Sequence, residues 1–250
     1  MSFLLKKFIN RLFSGRKEFE PVRGYNLWSD SYDDQPDNLI LSLDDLLFRR
    51  LTGSVKIEGA VIADIGCGTG RHWETIFSRH PAHITGFDVS QGMLTVLIKK
   101  FPGAETYLLR NENLAPLQTG ACDILISTLA IAHMPNLRSV FIEWARVLKP
   151  GGQILVTDFH PRALEMGSRR SFNYQGKKLA VKSFIYPVEM VLAQASQAHL
   201  ECQYLEELKV DESMKGYYEK KNALQAYDRF YGVPIIYGLI LKKNHAFSKS

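Results

Sequence analysis

Val61-Ile62-Ala63-Asp64-Ile65-Gly66-Cys67-Gly68-Thr69-Gly70 decides the fold. The apolar run closing residues 55–65 suits a strand buried on both faces, and it passes through three glycines into a short helix over residues 71–80, stopped by Pro81. A glycine turn between a buried strand and a helix brings bare backbone up to a ligand at the carboxyl edge of a sheet.

Outward from this stretch the alternation continues. Residues 83–89 read as a second strand; Ser90 caps a helix to residue 101, which Pro102-Gly103 closes. Residues 105–109 and 122–127 give two more strands, 137–148 an amphipathic helix, and 153–158 a fifth strand entered through Pro150-Gly151-Gly152. Upstream, residues 39–51 read as helix. Strands alternating with helices at this spacing mean parallel βαβ units in an α/β, doubly wound, mostly parallel sheet. After Pro161 the rhythm changes: residues 172–174 and 179–184 flank Gln175-Gly176 as a hairpin, residues 187–199 return to helix, and residues 200–208 and 234–241 are late strands around a Tyr- and Lys-rich helical stretch. The resulting division is residues 1–24 as a basic amphipathic helix and linker, 25–244 as one domain with an insertion near 162–186, and 245–250 as a tail.

The 250 residues, 46% apolar and 23% charged, are ordinary globular composition, which excludes disorder and fibrous repeats. No apolar run is long enough for a membrane span. Three scattered cysteines make neither a disulfide framework nor a paired zinc site, so no metal is expected and a reducing cytoplasm is the default. Of 31 basic residues, Lys6, Lys7, Arg11, Arg16 and Lys17 stand together with no acid among them, leaving 26 against 26 acidic in the rest. A balanced body is not built for a phosphate backbone, so nucleic acid is not an expected partner. The segment 1–17 also carries an apolar helical stripe from Phe3 to Phe13; it reads either as a helix packed on its own domain or as peripheral contact with an anionic membrane.

Counting G-x-G-x-x-G from Gly66 and Gly68 puts the third glycine at Arg71, so the dinucleotide fingerprint fails, and no Lys-Ser or Lys-Thr follows for a triphosphate loop. Asp64, two residues before the first glycine, repels a pyrophosphate and favours an ammonium or sulfonium. Asp88 closes the second strand 18 residues after Gly70, where an acid accepts from both ribose hydroxyls. Singly, Asp64 is a buried structural acid and Asp88 a helix cap; jointly they point to a cationic nucleoside ligand.

Over residues 25–161 the chain resembles the class I S-adenosylmethionine-dependent methyltransferases, in the branch with quinone-biosynthetic and small-molecule enzymes. The resemblance rests on Asp64-Ile65-Gly66-Cys67-Gly68-Thr69-Gly70, Asp88-Val89-Ser90-Gln91-Gly92-Met93, Cys122-Asp123-Ile124-Leu125-Ile126-Ser127 with His133 downstream, and Arg146-Val147-Leu148-Lys149-Pro150-Gly151-Gly152. It implies a seven-stranded Rossmann-like sheet, an N-terminal lid from Tyr25 to Tyr32, S-adenosyl-L-methionine as cofactor and a small-molecule acceptor. It further implies that Asp64 with the backbone of Gly66, Cys67 and Gly68 holds the methionine moiety, that Asp88 grips the ribose, and that Val89 and Met93 sandwich the adenine. It also implies that Ser127 lines the transfer cleft. The family's usual adenine-binding aspartate falls on Asn111, whose carbonyl oxygen still accepts, with Glu112 beside it.

An oxygen or nitrogen acceptor calls for a base, and His133, His160 and Tyr32 stand near the sheet's carboxyl edge; the plainer readings are a pocket wall for His133 and a turn residue for His160. Tyr174, Phe184, Tyr186, Tyr217 and Tyr218 either line an acceptor pocket or pack as core. Two further readings stay open: a same-fold enzyme using NAD or another adenine nucleotide, and a non-catalytic adapter. The acceptor and the oligomeric state lie beyond the sequence.

Overall fold

The structure, a computed structural model, describes residues 18–244. The amphipathic segment 1–17 and the tail 245–250 lie outside the described residues.

A short strand, β1 (Glu18–Phe19), leads into α1 (Pro21–Trp28), a 3-10 turn (Ser29–Ser31) and α2 (Leu39–Gly53), which Asn38 starts by accepting from the Ile40 and Leu41 amides. Then comes the alternation: β2 (Val61–Ile65), α3 (Trp73–Phe77), β3 (His83–Asp88), α4 (Gln91–Lys100), β4 (Glu105–Leu108), β5 (Cys122–Thr128), α5 (Leu137–Val147) and β6 (Leu148–Phe159). Beyond it lie α6 (Pro161–Glu165), β7 (Ser171–Tyr174), β8 (Lys177–Val181), α7 (Val188–Gln197), β9 (Leu200–Lys209), α8 (Lys215–Glu219), α9 (Leu224–Phe230) and β10 (Pro234–Lys243).

The main sheet has seven strands in the order β4-β3-β2-β5-β6-β10-β9, parallel except for β10, which runs against both neighbours. Strand order reverses between β2 and β5, and the crevice outside their carboxyl ends is where such sheets take ligands. One face buries Phe141, Trp144 and Val147 of α5 with Val191 of α7; the other buries Phe48, Trp73, Ile76 and Leu97. Covered on both sides, β2 and β5 need the unbroken apolar runs that the sequence gives them.

Helix α3 is shorter than the ten residues its sequence suggests. Gly70 holds φ +71° and closes a turn into Trp73, whose amide donates to the Gly70 carbonyl, so regular helix starts two residues late. β6 begins at Leu148 rather than Gln153, paired with Cys122 through an irregularity in register.

A second sheet, β1-β8-β7, was not foreseen. The 171–181 hairpin forms as expected, but Glu18 and Phe19 pair in parallel with Ala180 and Val181. The chain entering α1 is thereby bound to the insertion. Among the described residues no helix is long and apolar enough to cross a membrane.

Candidate active site

A cavity of about 440 Å³ opens at the strand-order reversal, over the carboxyl ends of β2, β3 and β5. Its floor is the glycine turn. Gly66 sits at φ +74°, and a Cβ there would lie 2.6 Å from that of Ala130; Gly68, at φ +54°, leaves open space where its Cβ would stand. Only glycine meets both demands, conformation and proximity.

Asp88, at the end of β3, is buried yet lines the cavity. Its Oδ2 accepts the Gly68 amide at 2.9 Å and its Oδ1 the Ser90 amide at 2.8 Å. Each oxygen therefore keeps a lone pair for a diol. Burial raises the carboxyl to about 6 against the lowering of these amides, so it is mostly ionised at neutral pH. Val89, Met93, Asn111 and Glu112 line the same cavity, with Asn111 Oδ1 also accepting the Asn113 amide.

Four expected residues do not line it. Asp64 lies beneath the turn, its Oδ2 accepting the Trp73 indole N–H at 2.8 Å, and burial lifts it to about 7. Cys67 turns its thiol into the core beside Gly86, where a Cβ would meet the sulfur at 2.9 Å. Ser127 is wholly buried and its hydroxyl has no partner; the wall comes instead from Thr128, Leu129 and Ala130. Two-residue alternation along β5 puts Ser127 and Thr128 on opposite faces. His160 caps α6 through Nδ1 to the Arg162 amide, and its Nε2–H donates to Glu207 at 2.9 Å. These contacts make it a strand-end structural residue, away from the cavity.

Arg71, where a dinucleotide loop would have glycine, is clamped to Asp44 and Asp45. Burial alone would lift Asp44, but Arg71, His72 and Thr157 hold it well below the usual carboxylate range.

The roof is the lid helix. Asn26 Oδ1 accepts from the Ser90 hydroxyl and the Gly92 amide, each at 2.8 Å, and Gly92 lets Ser29 approach, since a Cβ there would meet its Oγ at 2.6 Å. Thr69 donates to Asp33 at 2.7 Å. On the other side Lys182 pairs with Glu20 at 2.9 Å, its amide donates to Phe19, and Phe184 donates to the Ala132 carbonyl.

Tyr25 and Tyr32 of this lid line the cavity with His133. His133 Nδ1 meets the Lys182 carbonyl at 2.8 Å. A carbonyl only accepts, so the proton sits on Nδ1, and Nε2 accepts from the Tyr25 hydroxyl at 2.8 Å. Burial, opposed by that carbonyl and aided by the charge of Arg170, lowers His133 to about 4 and keeps it neutral.

Of the five aromatics expected either to line an acceptor pocket or to pack as core, Phe184 alone lines this cavity. Tyr217 and Tyr218 border a separate hollow beside α9, Tyr186 donates to the Met134 carbonyl, and Tyr174 packs under the lid. Sequence reasoning missed Arg170, Asn26 and the wall residues Leu129 and Ala130. Counting the strand one residue further would have found Thr128; nothing local marks the others.

The residues present fit an adenosyl sulfonium ligand: a carboxylate with two free lone pairs for the ribose, an open glycine floor, apolar walls at Val89 and Met93, and no lysine or arginine aimed at a pyrophosphate from the turn. Comparison with known proteins agrees. Residues 63–156 match the family model described as a methyltransferase domain. The chain is similar to an uncharacterized methyltransferase of Emericella nidulans, 31% identical over 229 residues, covering 73% of this chain and 76% of that one. It is also similar to a demethylmenaquinone methyltransferase of Tropheryma whipplei, 32% identical over 161 residues, which are 62% of this chain. That match spans 65% of the relative's length. Its fold is similar to that of the solved S-adenosylmethionine dependent methyltransferase of Mesorhizobium loti, with TM-score 0.61, 17% identity and coverage of 80% and 96% of the two chains. Strand order, glycine turn, the cavity-lining carboxylate of Asp88 and these likenesses converge: the chain belongs to the class I S-adenosylmethionine-dependent methyltransferases.

Proposed function

We propose that this chain transfers the methyl group of S-adenosylmethionine to an oxygen, nitrogen or carbon atom of a small, lipophilic molecule. The observation that carries the reading is that one cavity joins the Asp88 and Gly68 floor to the Tyr25–His133 roof, so a nucleoside and an acceptor can meet under one lid.

The cofactor supplies an activated methyl on a positively charged sulfur. The chain's own work is to hold, align and keep out water. Asp88 takes the ribose, Val89 and Met93 the adenine faces, and Asn111 with Glu112 the adenine rim. Asp64 acts from below, by holding Trp73 against the turn. Val22, Met134, Pro135 and Phe184 give the acceptor end an apolar wall, which suits a flat, lipophilic ring; the Tropheryma whipplei relative is named for a quinone. His133 contacts the acceptor end through Tyr25. Lipid contact through residues 1–17 remains a proposal on sequence pattern, tested by liposome sedimentation with and without that segment.

Calorimetric titration with S-adenosylmethionine, S-adenosylhomocysteine and NAD tests the reading. Micromolar binding of the first two and none of NAD is expected; preference for NAD overturns it. Incubation with a phenol and quinol panel, read by mass for one added methylene, then separates an enzyme from an adapter.

A further inference from the structure

Arg170 stands just before β7 and is 3% exposed. Its guanidinium faces the rings of Trp28 at 5.2 Å, Tyr32 at 5.4 Å and Phe159 at 5.7 Å, and donates from Nη2 to the Tyr32 hydroxyl. Among the described residues it forms no ion pair with a carboxylate, and its Nε has no hydrogen-bond partner. A buried cation without a counter-ion is costly, and it favours negative charge nearby. Two buried acids feel or exert charge here, Asp44 and Asp158, but Asp44 is held by Arg71, His72 and Thr157, and the oxygens of Asp158 accept from the Ala132 and Phe159 amides at 2.7 Å.

The two lid tyrosines differ in what they can give. The Tyr25 hydroxyl proton is spent on His133 Nε2. Tyr32 accepts from Arg170, so its own O–H is left to donate, and Tyr32 lines the cavity. A hydroxyl that accepts from a guanidinium is a stronger donor to whatever it meets next. The acid at this end, Glu20, pairs with Lys182 at 2.9 Å.

We propose that the acceptor binds as an oxyanion, a phenolate or enolate, held by the Tyr32 hydroxyl with Arg170 behind it as a positioning residue. The inference rests on the methyltransferase reading above and specifies its substrate class. An anionic acceptor's electron pair forms the bond to the methyl carbon while the carbon–sulfur pair returns to sulfur; no proton is released, and no base is called for. That accords with His133, which stays neutral where a general base would have to take a proton. His133 then serves to fix Tyr25, and Tyr32 serves as a donor.

The test uses 4-nitrophenol, whose phenolate is yellow and whose neutral form is not, titrated against the full chain saturated with S-adenosylhomocysteine. The bound probe is expected to be the phenolate, with its apparent pKa lowered by about one unit, a tenfold preference for the anion of the size one charge-assisted hydrogen bond supplies. Tyr32→Phe, which removes only a hydroxyl, should abolish that preference, and Arg170→Gln should do the same. Binding of the neutral phenol, no binding up to millimolar probe, or an undiminished shift in Tyr32→Phe each overturns the proposal. Calorimetry of S-adenosylhomocysteine alone keeps the two readings apart, since its failure to bind sinks the methyltransferase reading, whereas its binding beside an uncharged probe sinks only this one.

Discussion

Asp88 reaches back 20 residues to hold the Gly68 amide at 2.9 Å, so the carboxylate that lines the cavity at the end of β3 also fixes the glycine turn that floors it. On the proposed reading, geometry and ribose recognition reside in one carboxylate. Asp88→Ala should weaken S-adenosylhomocysteine binding about 100-fold, since two hydrogen bonds to a charged acceptor are lost. Calorimetry measures it; affinity within twofold of the parent would remove Asp88 from the ribose.

The same carboxyl, raised to about 6, gives a pH dependence with a definite sign. Ionised, it accepts from both hydroxyls; protonated, it loses part of that capacity. Cofactor affinity should be flat above pH 7 and decline as pH falls through about 6, and Asp88→Asn should flatten the profile at the low-pH level.

Asp64 acts on stability. Its folded value of about 7 lies above that of an unfolded aspartate, so its contribution is present at pH 4 and lost as pH rises through 7. Asp64→Asn keeps an acceptor for the Trp73 indole and carries no charge. The melting temperature of the variant relative to the parent should therefore improve from pH 5 to pH 8, read by calorimetry without ligand; a constant difference would contradict it.

The glycines of the turn should separate by readout. Gly66→Ala drives a Cβ into Ala130 at φ +74° and should cost about 2 kcal/mol or more, several degrees of melting temperature. Gly68→Ala meets no protein atom, so its stability cost should stay nearer 1 kcal/mol, the strain of a left-handed alanine, while cofactor affinity drops.

Tyr25→Phe leaves His133 Nε2 without its donor in a half-buried roof. A loss of about 1–2 kcal/mol is expected, with cofactor affinity preserved and turnover reduced, since the roof and not the ribose site is disturbed. Thermal melting and calorimetry on one preparation check both.

The sheet and the floor were legible because their signals are local. A buried strand, glycines that must take positive φ, and an acid at the next strand's end all lie within the 28 residues from Val61 to Asp88. Ser127 was misplaced by one residue, because an apolar strand gives no mark of where it leaves the sheet. The roof was not legible. Arg170 meets Tyr32 across 138 residues, and β1 meets β8 across some 160; neither pairing has a spacing to read, since each depends on how an insertion folds back. Asp64 showed the opposite weakness: its motif position was plain, but Trp73, nine residues on, takes its oxygen.

The parallel pairing of Glu18–Phe19 with Ala180–Val181, reinforced by Glu18–Arg169 and Glu20–Lys182, makes the cover of the cavity a two-piece cassette. Any exchange of this cover therefore has to take residues 18–32 and 169–186 together and keep Asn26, whose side chain seats it on Ser90 and Gly92. Transplanting either piece alone severs the strand pairing and both ion pairs, and leaves a donor scaffold with half a hood.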